Sequence, residues 1–193
     1  RVRRRLSQQL GKKAKVGHTG TLDPFATGLM IIVTGKECRN AQQYSKLDKV
    51  YEATVRLGQT STTGDPEGEL SDVSAREPSV EEVQRALKGF VGEITQRPPQ
   101  FSAIKIGGRR AYDLARKGEV VEMPERQVTV FSLELLEYAY PDVHIRVHVS
   151  SGTYIRTLAE DIGKVLETGA YCSALRRTKV AEYSIEDAWA IES

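Results

Sequence analysis

The sequence has few residues that bind metals or form disulfides, with two cysteines and three histidines among 193 residues. Cys38 and Cys172 lie far apart and form no Cys-x-x-Cys pair, so neither a disulfide framework nor a cysteine zinc site is expected. His144 and His148 are four residues apart in a strand-like segment and not on one face of a helix. We therefore predict no metal site and a reducing, cytoplasmic environment.

Long hydrophobic runs are also missing. Hydrophobic residues make up 39% of the chain and charged residues 28%, and no stretch approaches the roughly 18 to 20 apolar residues that span a membrane. No signal peptide is visible, although the chain opens on Arg1 and not on methionine. The length suits one domain around one core. We predict a single domain over residues 1–193 with no membrane association.

Acidic residues are absent before Asp23 and concentrate between Asp65 and Glu82, although the net charge is only +2. The basic residues form clusters instead, namely Arg1, Arg3, Arg4, Arg5, Lys12, Lys13 and Lys15, then Arg109 with Arg110, Arg116 with Lys117, and Arg176 and Arg177 with Lys179. Such segregation of charge is typical of a face that binds a polyanion. For any single cluster, a solvated helix face is the alternative.

Motifs of several enzyme classes are missing as well. The segment GHTGTLDPFATG from Gly17 resembles a phosphate-binding loop in composition, but no lysine followed by serine or threonine closes it. A GxSxG nucleophile elbow is also absent. One carboxylate, Asp23, remains in a glycine-rich loop. A carboxylate acts as nucleophile or base when a guanidinium holds it ionised in a water-poor cleft, whereas Asp followed by Pro can also simply start a turn.

Hydrophobic periodicity indicates both helices and strands. It predicts four helices: one over residues 1–11 with a Gly11 cap, one that begins at a capping box of Ser79 with Glu82, one from Ser151 and Gly152, and one from Ser184. It also predicts strands over residues 29–33, 50–57, 128–136, 143–149 and 174–181. The buried stripe of the third helix would hold Ile155, Leu158, Ile162, Val165 and Leu166. Arg156 lies off that stripe and could pair with Glu160 on an exposed face. Because no regular βαβ rhythm is present, we predict an α+β fold with a mainly antiparallel mixed sheet flanked by helices and loops.

Four motifs in a fixed order resemble the TruB family of tRNA pseudouridine synthases. They are GHTGTLDPFATGLMIIVTG from Gly17, KVYEATVRLG from Lys49, RPPQFSAIKIGGRRAYDLARKG from Arg97 and SGTYIRTLAEDIG from Ser151, and GAYCSALRRTKV from Gly169 resembles the segment that follows them. The resemblance implies the pseudouridine synthase fold. It also implies isomerisation of the uridine at position 55 in the T loop of tRNA, without a metal or organic cofactor.

Within this resemblance Asp23 is the catalytic aspartate, and Arg156, in the TYIR sequence, pairs with it. Asp23 would promote cleavage of the bond between uracil N1 and ribose C1′ by attacking the sugar, by adding to the ring, or by removing a sugar proton. The sequence leaves these three routes open. Tyr51, in the KVY sequence, would stack on the flipped base and help to move a proton.

The other residues that the resemblance assigns to substrate binding surround the flipped base. His18 would fill or brace the space that the nucleotide leaves, Tyr154 would line the pocket, and Leu175 would form part of its apolar wall. A base outside its stack requires flat or apolar surfaces. The resemblance further implies a tRNA T stem-loop as partner, no obligate protein partner, and a monomer.

The sequence departs from the family in three ways. A KPxGxTS-like N-terminal strand is not found and no PUA-type RNA-binding module follows Ser193, so we expect a chain truncated at both ends; the loop over residues 60–68 carries an extra glycine. Three alternatives remain, namely the catalytic subunit of a guide-RNA pseudouridylation complex, an RNA-binding protein with a vestigial site, and a structural domain without RNA. The presence of Asp23 and Arg156 argues against the second, and the basic N-terminal segment argues against the third.

Overall fold

The computed structural model describes residues 1–102, 104–115 and 122–190, so the predicted basic pair Arg116 and Lys117 lies outside the described residues. The α-helices in the described part are α1 (Val2–Leu10), α2 (Ala41–Ser45), α3 (Val80–Lys88), α4 (Ala111–Ala115) and α5 (Ile155–Val165). Its strands are β1 (Val16–His18), β2 (Thr27–Gly28), β3 (Ile32–Thr34), β4 (Lys49–Leu57), β5 (Gln59–Ser61), β6 (Leu70–Asp72), β7 (Gly92–Gln96), β8 (Lys105–Ile106), β9 (Arg109–Arg110), β10 (Arg126–Ala139), β11 (Asp142–Val149), β12 (Ala170–Val180) and β13 (Tyr183–Ser184).

A 7-stranded sheet organises the molecule, with the order β13-β12-β4-β11-β10-β7. These neighbours pair antiparallel, while the short β2 joins β12 in parallel. The predicted α+β class with a mainly antiparallel mixed sheet is therefore confirmed. The hairpin predicted over residues 128–149 is the pair β10 and β11, whose ladder runs from Val130 with Val149 to Ala139 with Asp142.

The core lies between one face of this sheet and the helices α3 and α5. Strand β4 alternates as a half-buried strand should, so Val55 and Leu57 are 0% and 1% exposed. Leu158 and Ile162 of α5 are fully buried against it. Val165, predicted on the same stripe, is 60% exposed instead, whereas the next residue, Leu166, is 3% exposed, so Val165 lies outside the face of α5 that packs against the sheet.

The sequence predicted the end of α1 and the start of α3 correctly, but not the start of α5. α1 ends at Gly11 with φ 63°, and the Ser79 and Glu82 capping box is present at α3. Helix α5 begins after Tyr154 and not at Ser151, because residues 150–153 form a turn in which Thr153 donates hydrogen bonds to the Ser150 carbonyl.

Three strand predictions needed correction. In place of the strand predicted over residues 29–33, the structure has the shorter β3, Ile32–Thr34, because Leu29 donates its N–H to the Arg177 carbonyl at 2.8 Å and does not pair with β1. The edge strand β7 was not predicted, and β12 begins at Ala170, ahead of the predicted 174.

Candidate active site

A cleft of about 500 Å³ opens where four loop regions meet at one end of the sheet. The loop between β1 and β2 contributes Asp23, the turn after β5 contributes Thr63 and Asp65, the segment after β7 contributes Phe101, and the start of α5 contributes Arg156. The remaining lining residues are Thr21, Leu22, Pro24, Glu67, Ser102 and Tyr154. Three acidic residues, Asp23, Asp65 and Glu67, and one arginine thus line one cavity.

Arg156 and Asp23 form an ion pair across this cleft. Arg156 donates from Nη2 to Asp23 Oδ1 at 3.0 Å, while Nε lies 3.0 Å from Oδ2 without the alignment of a hydrogen bond. The Arg156 side chain is 3% exposed and that of Asp23 is 33% exposed. The alternative in which Arg156 pairs with Glu160 on an exposed helix face is wrong, because the arginine points into the protein. The guanidinium orients the carboxylate and leaves it open to the cavity.

Asp65 is a second partner of Arg156, and the sequence did not single it out. Arg156 donates from Nη1 to Asp65 Oδ2 at 3.0 Å, and both side chains are 3% exposed. The same guanidinium binds the carbonyls of Thr63 and Phe101 at 2.9 Å each. The Asp65 carboxylate also accepts hydrogen bonds from the Thr63 hydroxyl at 2.6 Å and the Glu67 N–H at 3.0 Å. In the sequence, Asp65 is followed directly by proline and is the first of several nearby acidic residues, a pattern typical of an exposed turn.

Burial of Asp23 and the charge of Arg156 have opposite effects on the pKa of Asp23. Desolvation is the largest influence and raises the pKa of Asp23; the Arg156 charge lowers it, and the Asp65 charge raises it again. The net direction is upward. Arg156 therefore limits the rise in pKa and does not reverse it. A carboxylate in such surroundings retains basicity that an exposed aspartate lacks.

Tyr154 lines the cleft, whereas Tyr51 is not among the described residues that line it, although the charge of Asp23 acts on its phenol. Tyr154 is the residue before α5, and its main chain exchanges hydrogen bonds with the buried Gln96 amide at 3.0 and 3.2 Å. Tyr51 lies on β4, and burial is the largest influence on its pKa, which it raises. The charge of Arg177 lowers the pKa of Tyr51, and the charge of Asp23 raises it. Desolvation also raises the pKa of Tyr154. Both phenols are therefore expected to be neutral at physiological pH.

The two remaining predicted residues are placed differently. His18 is exposed on β1, opposite Ile32, and Leu175 is a core residue of β12, 8% exposed and opposite Ala53. Neither is among the described residues that line the cleft. Their roles beside a flipped nucleotide stay predictions.

Metal-binding clusters and membrane-spanning helices are not found in the described part of the chain. No group of three or more His, Cys, Asp and Glu side chains in it is arranged to hold a metal ion. None of its helices has the length and apolar character required to cross a membrane.

Comparisons with known proteins cover the whole chain. A model of the TruB family pseudouridylate synthase N-terminal domain matches residues 4–155, and one of the tRNA pseudouridylate synthase B C-terminal domain matches residues 156–193. A protein of Phocaeicola vulgatus named tRNA pseudouridine synthase B is 47% identical over 195 residues, covering 100% of this chain and 83% of the relative. A Bacteroides fragilis protein of the same name is 48% identical, covering 91% of this chain and 76% of the relative.

Solved structures are similar in fold over most of the chain. One in the crystal structure of a Cbf5-Nop10-Gar1 complex has a TM-score of 0.70 and 31% identity, covering 95% of this chain and 45% of that one. Another, in an H/ACA RNP bound to a substrate RNA containing 2′-deoxyuridine, has a TM-score of 0.66 and 28% identity, covering 95% of this chain and 44% of that one. The chain spans less than half of the length of these structural relatives.

Proposed function

Because the chain belongs to the TruB family of pseudouridylate synthases, we propose that it isomerises uridine to pseudouridine in the T loop of tRNA. The observation that carries this proposal is the buried Arg156, which holds Asp23 at the wall of an open cleft. An ion pair that only stabilised the fold would not need a carboxylate that is one-third open to a cavity. Here the oxygen atoms of Asp23 can reach a bound nucleotide.

The reaction breaks the bond between uracil N1 and ribose C1′ and joins C5 to C1′, while the C5 proton is lost and N1 gains one. Ionised Asp23 initiates the cleavage by one of three routes, which are attack on the sugar, addition to the ring, and removal of a sugar proton. Arg156 orients the carboxylate in all three. We assign to Tyr51, on whose phenol the charge of Asp23 acts, the roles of stacking on the base and helping to move the C5 proton.

The substrate uridine must leave its stack to enter the cleft, which costs a few kcal/mol. Stacking on aromatic side chains offsets this by about 1–3 kcal/mol per base. Tyr154 lines the cavity, and the charge of Asp23 acts on the phenol of Tyr51, so we propose these two rings as the surfaces for the base. We assign the exposed His18 to the space that the nucleotide vacates, and Leu175 to the apolar wall behind it.

The charge of the N-terminal segment supports a tRNA partner. Arg3, Arg4 and Arg5 on α1 are exposed, as are Lys12, Lys13 and Lys15 after it, and α1 contains no buried residue. Such a surface contacts phosphates without reading sequence, so affinity should fall as salt rises. We propose that residues 1–193 form one catalytic domain that acts on tRNA in the cytoplasm as a monomer, without an obligate protein partner. The relatives named tRNA pseudouridine synthase B are 47% and 48% identical, more similar than the Cbf5 chain at 31%.

The test is tritium release from tRNA that carries tritium at C5 of uridine, because forming the new C5 bond expels that atom. We compare the protein with its Asp23→Asn variant, and with Asp72→Asn as a matched control. Asp72 is exposed on β6 and accepts a hydrogen bond from Gln59 at 2.7 Å, away from the cleft. We expect release from the protein and the control but none from Asp23→Asn. No release from folded protein that binds tRNA would refute the isomerase proposal and favour an RNA-binding function.

A further inference from the structure

Arg177 is a buried cation that no step of the proposed reaction uses. It lies on β12 and is 3% exposed. Its guanidinium donates from Nε to the Leu29 carbonyl at 2.8 Å and from Nη2 to the Gly20 carbonyl at 3.2 Å. Within the described residues, no carboxylate forms an ion pair with it. A buried arginine without an anionic partner is costly, so an apolar side chain would serve packing better.

The two carbonyls that Arg177 binds lie at the two ends of one loop. Gly20 precedes Asp23 and Leu29 follows it, so a single guanidinium joins the beginning of this loop to its end. The main chain of Arg177 reinforces the contact, because its carbonyl accepts the Leu29 N–H at 2.8 Å. Gly28 pairs with Arg177 in the parallel ladder, so closely that an added Cβ would lie 2.2 Å from the Arg177 carbonyl oxygen. Arg177 thus binds both ends of the Asp23 loop.

Arg177 is also adjacent to Tyr51 on β4. The two residues are direct partners in the ladder between β12 and β4. The nearby guanidinium of Arg177 lowers the pKa of Tyr51, against the larger effect of burial. Lys49, two residues before Tyr51, is buried nearby, and its pKa is lowered to about 8 by desolvation and then by the Arg177 charge. The groups that act on the Tyr51 phenol are thus Arg177 and Asp23.

We infer that Arg177 is a positioning residue for the isomerisation, which clasps both ends of the Asp23 loop and fixes that loop relative to the phenol of Tyr51. The inference rests on the proposed function. Arg177 does not line the cleft, so it acts through Asp23 and Tyr51 and not on the nucleotide itself. Misplacing a reacting group by about 1 Å can cost on the order of 100-fold in rate.

The test compares Arg177→Met, which keeps the length but not the charge, with Arg177→Lys, which keeps the charge but not the two-point contact. Arg146→Met is the matched control, because Arg146 is 47% exposed on β11, which β4 separates from β12, and pairs with Glu52 at 2.9 Å. Single-turnover tritium release with enzyme in excess isolates the chemical step from tRNA binding, which filter binding measures separately. We expect Arg177→Met to lower the single-turnover rate by about 100-fold, with tRNA affinity near that of the unaltered protein. Arg177→Lys should be intermediate and Arg146→Met unchanged.

A second readout does not require turnover. In protein labelled with ¹³C at the tyrosine ζ carbon, the resonance that Tyr51→Phe removes reports the titration of Tyr51. Arg177→Met should raise the pKa of Tyr51, because it removes the guanidinium that lowers it. This shift is expected even if the protein released no tritium, so failure of the inference and failure of the proposed function are distinguishable.

Either of two results would overturn the inference. One is an unaltered Tyr51 titration in folded Arg177→Met, as judged by circular dichroism. The other is full single-turnover activity of Arg177→Lys, which would show that the two-point clasp is dispensable even if Arg177→Met failed to fold.

Discussion

Replacing Arg156 by methionine would leave the Asp65 carboxylate buried without a cationic partner. Asp65 is 3% exposed and bound by the guanidinium at 3.0 Å. Removing one member of a buried ion pair costs about 3–5 kcal/mol, and each kcal/mol lowers the Tm of a protein of this size by about 2–4 °C. We therefore expect Tm to fall by roughly 6 to 20 °C. The carbonyls of Thr63 and Phe101 lose a donor in the same change, which places the loss towards the larger value.

A second substitution should recover most of this stability without recovering activity. In Arg156→Met combined with Asp65→Asn the buried charge is gone, and the amide oxygen of the introduced asparagine can still accept the hydrogen bonds of the Thr63 hydroxyl and the Glu67 N–H. Replacing both members of a buried pair is often close to neutral. Asp23 remains unpaired in both variants, but at 33% exposure it can be hydrated. The double variant should therefore regain stability but not catalytic activity.

Thermal unfolding followed by circular dichroism, urea titration and tritium release measure these outcomes on the same preparations. A double variant as unstable as Arg156→Met would refute the argument that the unpaired Asp65 causes the loss. A double variant with full activity would refute the role of Arg156 in orienting Asp23. Arg156→Lys serves as a charge-preserving comparison, because an ammonium group cannot bind both carboxylates with the fixed geometry of a guanidinium.

Three further predictions concern the same loop. Because the folded pKa of Asp23 is raised, ionisation of Asp23 lowers the stability of the protein as pH rises through that pKa. In thermal melts, Asp23→Asn should therefore be at least as stable as the unaltered protein at pH 7 and lose this advantage at about pH 3. The acid limb of the pH-rate profile should lie above the pH at which an ordinary aspartate titrates, and Asp65→Asn should move it to lower pH, because the like charge that raises the pKa of Asp23 is gone. Gly28→Ala should unfold or inactivate the protein, because φ of Gly28 is 109° and the new Cβ would lie 2.2 Å from the Arg177 carbonyl oxygen. The control Gly11→Ala should lower Tm only slightly, because Gly11, at φ 63°, has open space around it.

Features that depend on neighbouring residues were predictable from the sequence. The alternation along β4, the capping box of α3 and the glycine that ends α1 follow from residues within one strand or one helical turn of each other. The family resemblance, carried by four ordered motifs, was confirmed by the matches over residues 4–155 and 156–193. Predictions failed where packing decides the outcome, as at the exposed Val165 and at the edge strand β7.

The sequence by itself determined the α+β class, the family and the prediction that Asp23 pairs with Arg156. Only the tertiary structure showed that Asp65 pairs with Arg156, and that Arg177, a member of a predicted basic cluster, is buried and binds the ends of the Asp23 loop. Asp65 lies 91 positions from Arg156 along the chain, and Arg177 lies 157 positions from Gly20. Periodicity and turn chemistry describe the surroundings of one residue along the chain, whereas burial of a charge is stable only when distant segments bring partners to it. Which carboxylate and which carbonyls do so is decided by the packing of β4, β12 and α5.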